Sequence, residues 1–419
     1  MANISFCLDG LTVVDASRML AGPYCTKMLA DMGARVIKVE PLQGEDSRRM
    51  GSLPELGGES FLYLCANTGK EDIAIDLTKE EGREVLWQLI SRADVLVENF
   101  LPRSKMSLDL VPDKCFEQNP RLVYCSLTSF GPSGPWADNP GVDVIFQAAG
   151  GLMSITGEPE GEPMKAGAPV ADMSAAFLAV AGILAALYER EKTGKGKVVE
   201  VSLLDAILTV QASMITMYFA TGRDLPRLGT GSPVLVPSQM FRTLDGYIAV
   251  SVFNERSWQR LCQILGREDL AHDPRYDSND KRIVEREKLV VDLAQEFFRF
   301  ETAEITVALE QARIPVIKVL SYSEVFTSPQ VNQNAVTGTW VHPVAGQVTT
   351  VGNPIRLRDP ADEWSTNGGP TAPAPCLGQH TREILAELGY SPFEIEALLE
   401  QKAVACHDEQ YSTTHRKAR

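Results

Sequence analysis

Histidine is scarce in this chain: five occur in 419 residues, and none lies before His272. An acid–base pair built on imidazole is thereby excluded from the first 271 residues. Paired cysteines are also missing. The eight Cys (Cys7, Cys25, Cys65, Cys115, Cys125, Cys262, Cys376, Cys406) form no C-x-x-C, and no H-E-x-x-H occurs, so no metal site is expected. There is no G-x-S-x-G elbow and no G-x-x-x-x-G-K-[ST] loop. The run TGKGK at Thr193 to Lys197 closes a helix, which is the wrong end for phosphate. Gly229-Thr230-Gly231 lacks a third glycine and follows no strand, so an NAD fingerprint is missing. The longest apolar run, Phe177 to Leu187, is shorter than the ~18 residues that a bilayer span needs. The opening MANISFCLDG carries Asp9 and no basic n-region. Scattered thiols point to a reducing compartment, and the expected location is cytoplasmic.

What is present is ordinary for a globular protein: 44% hydrophobic and 23% charged residues. A length of 419 residues suggests two lobes. The net charge of −15 disfavours nucleic acid and anionic membranes as partners. It still permits a small anionic ligand wherever Lys and Arg gather locally.

Strands and helices alternate through the first half. Strands are predicted at Thr12 to Asp15, Arg35 to Glu40, Asp72 to Asp76, Asp94 to Val97, Arg121 to Ser126 and Val198 to Leu203. Helices are predicted at Pro23 to Met32, Lys79 to Arg92, Asp172 to Lys192 and Leu204 to Phe219. This order implies an α/β fold with a parallel sheet covered on both faces. Near Thr221 the Gly- and Pro-rich stretch TGRDLPRLGTGSPVLVP reads as a linker. A strand pair and three helices beyond it read as a smaller α+β lobe, which the chain leaves between Tyr322 and Asn334. The final TTHRKAR reads as a disordered basic tail.

Several long stretches resemble the class III CoA-transferases, the formyl-CoA transferase and carnitine dehydratase-like (CaiB/BaiF) family. They are GLTVVDASRMLAGPYCTKMLADMGARVIKVEPLQGEDSRR (Gly10 to Arg49), NTGKEDIAIDL, ADVLVENFLP, NPRLVYCSLTSFGPSGP, AGAPVADMSA and LGQHTREILAELGYS, in the family's order. The resemblance implies a Rossmann-like large domain over residues 1–220 and 335–405. It implies a small domain with flanking linkers over 221–334, a tail at 406–419, and an interlocked homodimer. It also implies an enzyme that moves coenzyme A between an acyl-CoA and a small carboxylic acid, with CoA as a substrate and neither metal nor NAD.

In the family the nucleophile is an Asp just before a small-residue helix, and Asp172 holds that place here. The helix N-terminus is expected to favour its ionised form, and Ser174, Ala175 and Ala176 to leave room for an acyl group. From the residues alone, Asp172 reads as a helix N-cap, and only the resemblance turns the reading to a nucleophile. The resemblance assigns CoA contacts to Met19, Leu20 and Ala21 along the thiol arm and to Asn99, Phe100 and Arg103 in the loop after VEN. Arg35, Lys38 and Lys70 are basic candidates for its phosphates, with plain surface charges as the alternative. Pro41 stands where formyl-CoA transferases have a basic residue. Asp143 matches an acidic residue near the nucleophile, or caps its own helix. Gly229, Gly231 and Ser232 fall where a glycine-rich loop covers the site, or form a linker turn. Arg18, Arg227 and Arg242 are candidates to neutralise a second carboxylate, as in succinate.

Two other readings stay open. An acyl-CoA racemase of this fold has a His just before the residue matching Asp143, and Val142 stands there instead. A non-catalytic CoA-binding protein has no need of Asp172.

Overall fold

The computed structural model describes residues 7–357 and 372–407. The predicted tail 413–419 lies outside the described residues. The described residues form twelve strands: β1 (Thr12–Asp15), β2 (Arg35–Glu40), β3 (Glu71–Ile75), β4 (Val95–Glu98), β5 (Val123–Thr128), β6 (Lys197–Ser202), β7 (Ser238–Arg242), β8 (Tyr247–Ser251), β9 (Val316–Lys318), β10 (Thr337–His342), β11 (Gly346–Val351) and β12 (Val404–Ala405). The fold is α/β, as the alternation implied.

The described residues form two compact units. One takes the chain up to Gly150, Gly167–Thr216 and everything from Asn332 onward. The other takes Gly151–Ala166 and Met217–Val331. The segment 151–166 thus groups with the second unit, whereas the sequence reading puts it in the first.

The first unit is built on a seven-stranded sheet in the order β12-β3-β2-β1-β4-β5-β6. Strands β1 to β6 run parallel, and β12 adds antiparallel to β3. A parallel sheet with helices on both faces needs strands that are apolar throughout. Accordingly every residue of β4 and β5 is buried. Val14, Ile37, Ile73, Leu96 and Tyr124 from the strands meet Val85, Leu86, Leu89 and Ile90 of the helix Glu80–Arg92. Ile384, Leu385, Ile395 and Leu398 of the C-terminal helices join the same core. Each such side chain contributes about 1.5–3 kcal/mol on burial.

The helix Val170–Thr193 ends at Gly194, whose φ of +70° is the left-handed stop that KTGKGK predicts. At 24 residues it is long and apolar enough to cross a membrane by composition, but half of that window is buried inside the protein. The apolar run read from the sequence is only its middle part. The helix expected over 204–219 is instead two, Leu203–Thr209 and Ala212–Thr221, bent by 74°. At the break the Ile207 carbonyl accepts from the Gln211 side chain (2.7 Å), while Gln211 N–H turns to Leu208 O (3.0 Å). The side chain thus takes the acceptor that a continuous helix would use.

The second unit has a three-stranded antiparallel sheet in the order β7-β8-β9. Phe241, Ile248 and Val250 pack on Trp258, Leu261, Leu289, Leu293, Phe297 and Ile305. These come from the helices Glu255–Ile264, Arg286–Phe297 and Thr302–Gln311.

Candidate active site

The long helix fixes the height of Asp172. Near its other end, Arg190 pairs with Asp94 (3.0 Å), just before β4 begins, so that end lies at the sheet's N-terminal edge. The helix therefore runs against the parallel strands. The step from Arg190 back to Asp172 is about 27 Å, longer than β4 or β5, at about 3.3 Å per strand residue. Asp172 thus sits at the C-terminal edge of the sheet, where open α/β sheets bind ligands.

Asp172 is the third residue of the helix, not its cap. The cap role falls to Asp143, in the helix Asp143–Ala149. Its Oδ1 accepts from Ala171 N–H (2.8 Å) and Asp172 N–H (3.4 Å), and its Oδ2 accepts from Gln147 Nε2 (2.5 Å). Asp143 thus caps the following long helix rather than its own. With those amides taken, the helix end no longer stabilises a charge on Asp172. Burial, and then the Asp143 carboxylate, push Asp172 up to about 7. The expected ionised state is therefore opposed, not favoured. Asp172 remains half-buried and reachable. Ser174, Ala175 and Ala176 are buried, with Ser174 Oγ bonded to Val170 O (2.6 Å), so they serve helix packing rather than acyl room.

The sheet order reverses between β1 and β4, and the loops after these two strands are tied together. Asn99 Oδ1 accepts from Arg18 N–H (2.9 Å) and its Nδ2 donates to Arg18 O (2.8 Å). Arg18 lies over the Phe100 ring at 5.5 Å. Here opens a groove of about 600 Å³. Val39, Pro41, Ile75 and Leu108 give it apolar walls, and Arg18 and Arg83 give it positive charge. Arg83 is anchored to the carbonyls of Leu77 (3.4 Å) and Thr78 (3.1 Å). Sequence reading missed Arg83 altogether. Its signal is that it opens the helix that follows β3, beside the C-terminal ends of the strands.

Three expected phosphate ligands are placed elsewhere. Lys38 and Lys70 are buried. Lys70 Nζ donates to Asp15 Oδ2 (2.8 Å), Pro23 O (2.8 Å) and Asn67 Oδ1 (2.7 Å). Lys38 bonds the Ser17 carbonyl and lies 3.3 Å from Glu45. Burial pushes Asp15 up, but the two ammonium groups outweigh it and hold the carboxyl well below its usual range. Burial and the like charge of Lys38 pull Lys70 down to about 8 against the opposing pull of Asp15. Arg35 pairs with Glu71 and Glu387, both at 2.6 Å, at the start of β2 and hence at the opposite edge of the sheet. Arg103 is exposed on the helix Pro102–Ser107.

These interior charges hold the expected thiol-arm loop. Met19 adopts φ +70°, a conformation that costs a non-glycine residue about 1–3 kcal/mol. Its N–H is fixed to Glu45 Oε2 (2.7 Å), and Glu45 is in turn paired with Lys38. Leu20 precedes the helix Ala21–Asp31, and Ala21 is buried in its first turn. A Cβ on Gly22 would lie 2.3 Å from Ser17 Cβ, so the turn needs glycine.

In the second unit, the turn at 229–232 is closely braced. Gly229 N–H donates to Gly157 O (2.9 Å), Gly231 N–H to Leu228 O (2.8 Å) and Ser232 N–H to Ser238 O (2.9 Å). Three amides of the expected lid are thus already used. Arg227 is committed to the carbonyls of Glu158 (3.3 Å), Ser154 (3.5 Å) and Gly161 (2.7 Å). Arg242 lies over Phe298 at 5.3 Å. Among the described residues, no cluster of three or more His, Cys, Asp or Glu is arranged for a metal.

Comparison with known proteins gives concordant matches. The sequence model described as CoA-transferase family III matches residues 8–381. The succinate–glutarate CoA-transferase of Agrobacterium fabrum is 36% identical, over 91% of this chain and 95% of that one. The human succinyl-CoA:glutarate CoA-transferase is 33% identical, over 96% and 90%. A crystal structure of a CaiB/BaiF family protein from Brucella suis aligns with a TM-score of 0.79 and 32% identity, covering 91% of this chain and 99% of that one.

Proposed function

This chain belongs to CoA-transferase family III and is a CoA-transferase, and we propose that it passes coenzyme A between a short dicarboxylic acyl-CoA and a second dicarboxylate, with Asp172 as nucleophile. The observation that carries this is a reachable carboxyl with a raised pKa at the ligand-binding edge of the sheet. The relatives named for succinate and glutarate support the substrate class. A carboxylate of higher pKa is intrinsically the better nucleophile, provided it is ionised at the working pH.

The steps balance without metal or external energy. An Asp172 oxygen attacks the thioester carbon, the C–S bond breaks, and CoA leaves as thiolate with a mixed anhydride formed. The thiolate attacks the Asp172 carbonyl carbon of that anhydride, releasing the donor acid and leaving an aspartyl-CoA thioester. The acceptor carboxylate attacks this thioester, and the sequence runs in reverse. Water has to be excluded, because the anhydride hydrolyses readily. The test is transfer from succinyl-CoA to glutarate by the purified protein. If glutaryl-CoA and free succinate fail to appear in equal amounts, the reading is wrong.

The groove between the loops after β1 and β4 is proposed as the CoA nucleotide site, with Asn99 holding the Arg18 loop. Arg18 and Arg83 take the part first assigned to Arg35, Lys38 and Lys70. Each phosphate–arginine contact is a charge-assisted bond of about 1.5–3 kcal/mol. Arg18→Ala and Arg83→Ala are each expected to weaken CoA binding about tenfold or more in a titration, with a shallower salt dependence. Unchanged affinity in both would remove the groove from the proposal.

A homodimer is proposed as well. The helix Ala212–Thr221 is apolar in composition yet has no buried residue, with Phe219 78% exposed. Phe177 and Tyr188 on the helix Val170–Thr193, and Val210, are further exposed apolar side chains. Exposed apolar surface of this kind marks an interface. Sedimentation at twice the 45.9 kDa chain mass is the expected result, and a monomer at micromolar concentration is the contrary one.

A further inference from the structure

We infer that Gln147 is a positioning residue for CoA transfer: its side-chain amide clamps the Asp143 carboxylate against the start of the helix that carries Asp172. The inference rests on the reading of Asp172 as the nucleophile and adds to it the group that governs Asp172 through Asp143.

Asp143 and Gln147 lie one turn apart on the helix Asp143–Ala149, a spacing that puts them on one face. Gln147 is buried, and its Nε2 donates to Asp143 Oδ2 (2.5 Å) and to the Ala168 carbonyl (3.4 Å). An ionised carboxylate and a carbonyl can only accept, so the nitrogen of the amide has to face them both. One side chain thus grips the acid and the backbone that leads into the helix Val170–Thr193. With Oδ2 held, Oδ1 is aimed at the amides of Ala171 (2.8 Å) and Asp172 (3.4 Å). The far end of the short helix is braced separately: Phe146 is buried, and Gln211 Nε2 donates to the Gly150 carbonyl at 3.0 Å. Loss of the Gln147 amide therefore frees the acid and not the helix.

Asp143 is half-buried, so a freed carboxylate can turn toward water. Its charge then moves away from Asp172, and the amides of Ala171 and Asp172 become open to Asp172 itself. Both changes favour the ionised form of Asp172. Held in place, Asp143 does the reverse: burial, and then the Asp143 charge, keep Asp172 up at about 7. Groups on the other elements packed against the long helix do not compete. Lys27 and Asp31 of the helix Ala21–Asp31 pair with each other (2.5 Å), and Lys197 of β6 pairs with Glu189 (2.6 Å). Asp205 of the helix Leu203–Thr209 accepts from Ser202 Oγ (2.6 Å), and Glu200 of β6 is exposed. Burial keeps Tyr24, Cys25, Tyr124 and Cys125 protonated. Gln147 thus keeps the nucleophile basic, and with it slow in acid.

The test follows kcat/KM for transfer from succinyl-CoA to glutarate across the acid and neutral range. It uses the full-length protein and the variants Gln147→Met, Asp143→Asn and the two combined. Methionine keeps the length of the side chain but has nothing to donate. The acid limb of the Gln147→Met profile is expected about one pH unit lower, which raises the ratio of the rate at about pH 5 to that at about pH 8 roughly tenfold. General damage to the fold lowers both rates alike and leaves that ratio unmoved. Because Gln147 acts through Asp143, the combined variant is expected to shift no further than Asp143→Asn alone. An unmoved ratio in Gln147→Met, or shifts that add, overturn the inference. Denaturant melts read the same proton without catalysis. The stability that Asp172→Asn gains at about pH 8 is expected to shrink by about a third when Gln147→Met is also present. Transfer that survives Asp172→Asn overturns the nucleophile reading instead. The melts then decide for Gln147: a reduced gain upholds its control of Asp172, and an unchanged gain sinks it.

Discussion

Replacing Asp172 with Asn is expected to reduce CoA transfer by at least about 10⁴-fold while leaving CoA binding within twofold, because the amide matches the shape of the carboxyl but cannot attack a thioester. Hydroxylamine added with acyl-CoA should inactivate the unmodified protein by forming a hydroxamate at residue 172, and should leave the Asn variant untouched. The pH profile gives a second readout. With Asp172 near 7, the reactive carboxylate fraction rises about tenfold per unit below that value and levels off above it. Transfer should follow the same curve, and a flat profile from pH 5 to 8 would contradict the assignment. Stability should move in the opposite sense. A folded-state pKa raised from 3.8 means that the folded protein holds a proton which the unfolded chain releases between about pH 4 and 7. Stability from this group is therefore present below pH 4 and lost as pH rises through 7. The Asn variant is expected to be more stable than the unmodified protein at pH 8, by about 2 kcal/mol, read from denaturant melts.

The second large effect is structural. Lys70→Met is expected to destabilise the protein by about 3–5 kcal/mol, because it leaves the Asp15 carboxylate buried with its nearest cation removed. Lys38 stands 3.9 Å from Asp15, too far to replace the lost hydrogen bond. Removing both charges should cost less than removing one. Asp15→Asn combined with Lys70→Met is expected to recover part of the loss, giving a coupling energy of about 1–3 kcal/mol in a double-mutant cycle of chemical denaturation. If the two variants simply add, the buried pair is not a unit.

The regular parts of the fold were readable because their apolar periods are strong. Thr12 to Asp15 and Arg35 to Glu40 match the observed strands to the residue, and the long helix agrees within two residues at its start and one at its end. Harder to read was anything set by a distant partner. The hairpin of β10 and β11 has weak alternation and was not anticipated, and the helix break at Gln211 depends on a side-chain bond. In the proposed site, Asp172 and Asn99 are assigned through resemblance, whereas Lys38 and Lys70, expected at phosphates, are interior. The signal for Lys38 was present: a lysine inside VIKVE, a strand of a parallel sheet, faces a covered side whichever way it points and so needs an internal acid. Asp143 was matched to an acidic residue near the nucleophile, with a cap on its own helix as the alternative, and nothing in the sequence tells that it caps the helix carrying Asp172.

The position of β12 bears on how the chain acquires its shape. The edge of β3 is covered by Val404 and Ala405, and Asp72 receives the amide of Gly378, so the sheet begun by the earliest residues is finished by nearly the last. During synthesis the second unit emerges entire before that edge is covered. It is free to settle first, while the half-made sheet waits on the ribosome with one flank open to other nascent chains.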